Sequence, residues 1–209
     1  MSEDGGRQRK GGGGVAIVHA DESCLGNRTD VPSKGGAAAL IEIRVGGAIT
    51  RRDLYISSPA TTNNRMALNG AIATFALLSR KGRRFRVLYV SDSEYLVKGM
   101  SEWASGWESR GWRRKGGELE NAALWQALVK VSRNHDAAWR WVRGHAGHPK
   151  NEYANDLAIK AAEEQLMSEG AVASRFAEWL DNRRARGQFT DYDPDADFAT
   201  LESQIASPR

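Results

Sequence analysis

The order in which extended and helical patterns follow one another constrains this chain more than any single motif does. Val15-Ala-Ile-Val-His-Ala20 is a short apolar run of the kind that forms a buried strand. Gly36 to Arg44 and Ala48 to Ser57 are two further extended candidates, and Gly46-Gly47 between them is a hairpin signal. Short turns between successive strands imply an antiparallel meander. At Thr61-Thr-Asn-Asn64 the period changes: Met66, Ala67, Gly70, Ala71, Phe75 and Leu78 recur at helical spacing, with Asn63 or Asn64 expected as the N-cap. Phe85 to Val90 reads as a fourth strand, Ser91-Asp92-Ser93 as the cap of another helix and Leu119 to Ser132 as a helix. Ala137 to Val142 follows as a fifth strand and Asn151 to Met167 as a long helix. The order β-β-β-α-β-α-α-β-α predicts an α/β fold, a five-stranded mixed sheet flanked by helices.

Residues 1–13 (MSEDGGRQRKGGG) read as a flexible arm, residues 14–167 as the domain, and residues 168–209 as an extension. Within the extension, 171–186 has helical spacing through Val172, Phe176, Trp179 and Leu180, while Gln188 to Arg209 reads as a mobile acidic tail. That tail holds Asp191, Asp193, Asp195, Asp197 and Glu202 against Arg209, so a chain of net charge +4 has a body near +8, since +4 minus −4 is +8. A basic body favours a polyanionic partner, although charge alone equally fits an ordinary soluble surface. Cys24 is the sole cysteine, which excludes an internal disulfide and fits a reducing, cytoplasmic setting. The first 14 residues hold no apolar segment of the secretory type, and no apolar run approaches membrane-spanning length, so neither leader nor membrane is expected. No sequence feature signals an oligomer, and a monomer is expected.

Asp21 directly follows the first strand and Asp92 the fourth. Carboxylates at the ends of neighbouring strands are well placed to share a cation, and Mg²⁺ takes oxygen ligands while keeping several waters. Helix caps or solvated turn residues fit equally, and spacing alone leaves the two readings open. In Trp141-Val-Arg-Gly-His-Ala-Gly-His148 two histidines flank a glycine-containing loop. Zinc would need more ligands than stand nearby. A loop histidine beside a metal site could instead move protons.

At this point the sequence resembles type 1 ribonuclease H. The stretches that carry the resemblance are Asp21-Glu-Ser-Cys-Leu-Gly-Asn27, Thr61-Thr-Asn-Asn-Arg-Met66, Ser91-Asp-Ser-Glu-Tyr95, the tryptophan-rich run Trp103 to Lys115, Trp141-Val-Arg-Gly-His-Ala-Gly-His148 and Asn151-Glu-Tyr-Ala-Asn-Asp-Leu-Ala158. They stand in family order and cover about residues 14–165. The resemblance implies a ribonuclease H-like fold and endonucleolytic cleavage of the RNA strand of an RNA/DNA hybrid. It also implies two divalent ions, Mg²⁺ with Mn²⁺ as the alternative, held by an Asp-Glu-Asp-Asp set. Carried over by motif, the first Asp is Asp21, the third acid is Asp92, and the loop histidine that aids proton transfer or product release is His145.

Two positions depart from that pattern. Where the family has its Glu, after Arg-Met, this chain has Ala67; where the family has its last Asp, it has Asn155, with Asp156 one residue on. Asp156 is turned about 100° from Asn155 on a helix. Glu22 could compensate, except that neighbours on a strand point to opposite faces. Asp21 and Asp92 alone supply −2 against the +4 of two Mg²⁺, with Asn155 offering a neutral oxygen, so weakened cleavage is expected.

The resemblance also implies that the run around Trp103, Trp107, Trp112, Arg113 and Arg114 holds the DNA strand, and that Cys24, Asn27, Thr62, Asn63 and Asn64 lie against the hybrid. Bases neutralise phosphate, and RNA is told from DNA through its 2′-hydroxyls. Core packing for Trp103 and Trp107, four residues apart, and capping for Asn63 and Asn64 are the competing structural roles. Three functions follow: a metal-dependent hybrid-specific endoribonuclease of reduced activity; a catalytically inactive, natural or engineered, hybrid-binding form; or a DNA-directed nuclease or integrase of the same superfamily, which Thr61-Thr-Asn-Asn64 and the tryptophan run argue against. The extension is expected to be dispensable for hybrid binding.

Overall fold

The structure, a computed structural model, describes residues 14–26, 33–144 and 146–206. The expected flexible arm, Asn27 and His145 lie outside the described residues. β1 (Val15–Cys24) has its first seven residues buried. That double-sided burial is why it reads as an unbroken apolar run rather than an alternation. β2 (Ser33–Val45) and β3 (Ala48–Thr61) continue antiparallel from it. Between them Gly46 and Gly47 take φ of 65° and 99°, the left-handed pair that a two-residue hairpin turn requires.

α1 (Asn63–Leu78) follows, then β4 (Arg86–Ser91). α2 (Glu94–Lys98) leads through one wider turn at Gly99–Trp103 into α3 (Ala104–Ser109). Gly99 is required there, because a Cβ would lie 2.0 Å from the buried Trp125 ring. A short hairpin of β5 (Arg113–Arg114) and β6 (Gly117–Glu118) precedes α4 (Ala122–Ser132), β7 (Asp136–Trp141) and α5 (Pro149–Glu164). β8 (Val172–Ala173), α6 (Phe176–Arg184) and α7 (Pro194–Ala206) complete the described chain. The main sheet runs β7-β4-β1-β2-β3-β8, with β1, β4 and β7 parallel.

α1 and α4 cover one face, where Phe75, Trp125 and Leu128 pack on Ala16, Val18 and Tyr89. The other face carries α5 and α7. α5 approaches β2 through an alanine stripe, Ala154, Ala158, Ala161 and Ala162. Gly36 makes that approach possible, since a Cβ there would stand 2.3 Å from the Ala158 carbonyl oxygen. Small residues on both elements thus set how deeply α5 sits on the sheet.

The structure departs from the sequence-based expectations at three places. The N-cap of α1 is Thr62, whose hydroxyl accepts from the Arg65 N–H at 3.4 Å, rather than Asn63 or Asn64. The sheet has six strands, because Val172–Ala173 pairs with β3 inside the segment expected to be helical, and the helix starts at Phe176. Where a mobile acidic tail was expected, α7 lies on the sheet. Its Phe198 and Leu201 bury against Val15, Ile17, Leu88 and Val90. Its acids are paired with the body: Asp197 with Lys150 at 2.8 Å, Glu202 with Arg44 at 3.4 Å, and Asp195 with Arg51. Composition counts such acids as a solvated run because their partners are more than forty residues away in sequence.

Candidate active site

Parallel pairing of β1 with β4 ends at Ala20 opposite Ser91. The next residues are Asp21, still within β1, and Asp92, directly after β4, so the register delivers two carboxylates side by side where the β1–β4 pairing stops. Glu22 joins them: one carboxylate oxygen each from Asp21, Glu22 and Asp92 lie within 4.8 Å of one another. Strand alternation does send Glu22 off the α1 side, with Ala16, Val18 and Ala20. On the β4 edge of β1, however, the ladder has ended, although β2 still pairs along the other edge as far as Cys24, and at that open edge side chains from both faces can meet. On that same side Ala67 is 3% exposed and packs in the apolar core with Ala20 and Leu68. The third acid therefore comes from β1 rather than from α1.

The cluster gathers like charges that repel one another. Burial, then the neighbouring Asp92 carboxylate, pushes Asp21 up to about 8. Burial, then Asp21 and Asp92, pushes Glu22 to about 8 as well, against the hydrogen bond from Ser93. Asn151, in the first turn of α5, donates through Nδ2 to Asp21 Oδ2 at 3.1 Å and holds that carboxylate in place. Three converging oxygen acids, with no cationic side chain in the cluster among the described residues, are a donor set suited to a hard divalent ion such as Mg²⁺ or Mn²⁺. The loop after β7 closes on the cluster. The Trp141 indole N–H donates to the Asp92 carbonyl oxygen at 3.0 Å. Gly144 lies so near that a Cβ would stand 2.3 Å from Asp92 Oδ2.

Asn155 stands four residues after Asn151 on α5 and so shares its helix face. Asp156 does not: its carboxylate accepts from Trp179 Nε1 at 2.8 Å and pairs with Arg183 at 2.7 Å, both on α6. That removes Asp156 as a stand-in for the missing last acid. Thr62 caps α1, leaving Asn63 exposed and Asn64 half-buried at its start. Cys24 is half-buried at the end of β1, with its thiol pushed up by burial first and by Glu22 second.

The tryptophan run divides by role. Trp107 packs on buried Trp125, ring centroids 5.1 Å apart, and Trp112 also lies against the core. Trp103 stays exposed, tilted on Trp107 at 5.7 Å, and Arg113 and Arg114 are exposed on β5. Core packing thus accounts for two of the three rings, while Trp103, Arg113 and Arg114 stand out from them as an exposed, basic projection. His148 is not paired with a metal cluster among the described residues. Its ring stacks 4.9 Å from fully buried His19, and its Nε2 lies 3.8 Å from Asp197.

Residues 14–163 match the family model for RNase H. Among curated proteins, the chain is 42% identical over 148 residues to a ribonuclease H of Pelobacter propionicus, covering 70% of this chain and 84% of that one. It is 40% identical over 156 residues to a ribonuclease H of Methylococcus capsulatus, covering 74% and 94%. Among solved structures it is similar to LC9-RNase H1, a type 1 RNase H with the type 2 active-site motif, at 52% identity and a TM-score of 0.75, covering 80% of this chain and 81% of that one.

Proposed function

We propose that this chain, which belongs to the ribonuclease H family, is an endoribonuclease that hydrolyses the RNA strand of RNA/DNA hybrids with divalent metal held by Asp21, Glu22 and Asp92. The observation that carries this reading is the meeting of three carboxylates within 4.8 Å at the end of the β1–β4 pairing. With Glu22 counted, the side chains supply −3 rather than −2, and the deficit expected from Ala67 shrinks. LC9-RNase H1 supports the reading: it is a type 1 enzyme that bears an active-site motif of another type.

Two divalent ions bound there supply activation of the attacking water and stabilisation of the leaving oxygen. The chain's own groups do the rest. Asp21, Glu22 and Asp92 bind; Asn151 orients Asp21; Asn155, on the same face of α5, offers a neutral amide oxygen to the site. His145 is the proposed proton-transfer residue of the loop. For the hybrid, the proposed contacts are Cys24, Asn27, Thr62, Asn63 and Asn64 beside the cluster, and Trp103, Arg113 and Arg114 on the projection, with Trp107 and Trp112 supporting it.

The test is single-turnover cleavage of a labelled hybrid in Mg²⁺ and in Mn²⁺. Glu22→Ala should lower the rate roughly hundred- to thousand-fold, the equivalent of a few kcal/mol of transition-state stabilisation, while hybrid affinity changes little. An unchanged rate removes Glu22 from the site. Hybrid binding by the unaltered chain without cleavage in either metal establishes the inactive binding form instead.

A further inference from the structure

At the opposite end of the sheet from the acids lies a groove of about 690 Å³ between the end of α1, β2, β3 and the start of β4. Arg52, Arg80, Lys81, Arg83 and Arg84 line it, and no acidic residue does. Arg83 and Arg84 also line an adjoining cleft of about 320 Å³ with Arg133 and Asn134, again without an acid. Among the described residues no carboxylate pairs with Arg52, Arg80, Lys81, Arg83 or Arg84, whereas the bases facing the C-terminal extension are paired, Arg44 with Glu202 and Arg51 with Glu42 and Asp195. One base near the end of α1 would suffice to complement its dipole. Five unpaired ones around a groove exceed that need.

Its apolar floor includes Ile41, Ile43, Leu77 and Leu78, and its one aromatic, Phe85, is 5% exposed. A single-strand site that reads bases uses exposed aromatic rings for stacking. This groove has none, so it fits the phosphate backbone. Gly14 lines the groove too. Along β1 the groove, beside Val15, is six residues from Asp21, about 20 Å at ~3.3 Å per residue.

We infer that this groove is a second nucleic-acid site, which holds the single-stranded flank of the substrate whose hybrid portion occupies the acidic cluster. The inference rests on the proposed function for the origin of the strand. A flank tethered to the bound hybrid reaches the groove at high effective concentration, and at ~3.4 Å per nucleotide about six nucleotides span the gap. The contact is to phosphate, so it is indifferent to sequence and sensitive to salt.

The experiment is fluorescence anisotropy with metal chelated, so that the probes stay intact. The probes are a blunt RNA/DNA hybrid of about twelve base pairs, the same hybrid with about ten unpaired thymidines on its DNA strand or uridines on its RNA strand, and an oligothymidine alone. A flank should tighten binding about ten-fold, and the combined variant Arg80→Ala, Lys81→Ala, Arg83→Ala, Arg84→Ala should lose that gain. All four positions are exposed, so the fold should survive, which circular dichroism checks. The salt slope for the flanked hybrid should fall by about 3, since four phosphate contacts to a single strand contribute roughly 0.7 each. Blunt-hybrid binding should stay unchanged. Equal affinity of the unaltered chain for flanked and blunt hybrids overturns the inference, as does a gain that persists in the variant. If the blunt hybrid itself fails to bind, the proposed function falls, while the variant's loss or retention of oligothymidine binding still decides the groove.

Discussion

At the scale of single residues, the exchange between positions 22 and 67 is the decisive feature. In the resembled pattern an acid projects from the helix; here alanine fills that slot in the core and an acid projects from the strand beside Asp21. If both routes serve the same ion, they are interchangeable. Ala67→Glu in a Glu22→Ala background should then recover at least ten-fold of the lost cleavage rate, whereas Ala67→Glu alone should recover nothing and should add a buried, repelled carboxylate. Failure of the rescue, with both proteins folded, would show that Glu22 serves some other purpose. The same cluster makes a pH prediction. Asp21 and Glu22 are raised from about 3.8 and 4.5 to about 8 in the folded chain. Between about pH 4 and pH 8 the folded chain thus binds more protons than the unfolded one, and stability falls as pH rises. The metal-free melting temperature should drop across that range, and Mg²⁺ should raise it more at pH 8 than at pH 5, since the ionised cluster is the form that binds. A metal-free melting temperature that rises with pH through this window would contradict the site's electrostatics.

At the scale of elements, α5 connects the site to the C-terminal extension. Asn151 on its first turn holds Asp21, and the preceding residue, Lys150, is fully buried between Glu42 on β2 at 2.7 Å and Asp197 on α7 at 2.8 Å. Lys150 also donates to the Pro194 carbonyl oxygen at 3.0 Å. Lys150→Met should cost about 3–5 kcal/mol in chemical denaturation, because it strands a buried glutamate, and should lower cleavage by displacing the start of α5. A loss below about 1 kcal/mol would mean that Glu42 is adequately held by Arg51 alone, as an exposed pair would be. The strands, α1, α4 and α5 were legible because each buries a face whose period is written locally: the run Val15–Ala20, the helical spacing from Met66 to Leu78, the Gly46-Gly47 turn. The placing of Asp92 directly after a strand was legible in the same way, whereas Asp21, expected just past the first strand, lies inside β1, which runs on to Cys24. What was not legible depends on partners distant in sequence. Whether Glu22 can reach its neighbours depends on where β1–β4 pairing stops, and whether the tail is a helix depends on Lys150, Arg51 and Arg44 being there to receive its acids.

For the whole molecule, part of the uneven charge of the chain is matched internally. The basic body and the acidic extension meet in the ion pairs of Lys150, Arg51 and Arg44 with Asp197, Asp195 and Glu202. Phe198 and Leu201 of α7 complete the apolar cover over Ile17, Leu88 and Val90, while α6 places Phe176 and Leu180 beside Leu40 and Tyr153 and holds Asp156 through Arg183 and Trp179. The extension packs as a layer of the fold rather than hanging as an appendage, which argues against the expectation that it is dispensable for hybrid binding. Removing residues 168–209 leaves α5 on the sheet but should uncover Val15, Ile17, Leu88 and Val90, which α7 covers. Four buried side chains, Phe176, Leu180, Phe198 and Leu201, contribute about 1.5–3 kcal/mol each on burial. Their combined loss is comparable to the roughly 5–15 kcal/mol by which a domain is stable. A chain ending at Met167 should thus be unfolded or aggregated at ambient temperature, read as a lost cooperative melting transition. A point change separates this from mere loss of bulk: Asp197→Asn keeps α7 in place but removes a charge from Lys150, and should lower the melting temperature while leaving the transition cooperative. If the shortened chain instead melts cooperatively and cleaves hybrid at the full-length rate, the packing of α7 on the sheet has no bearing on the site, and the acids of the extension serve some partner other than the body that they face here.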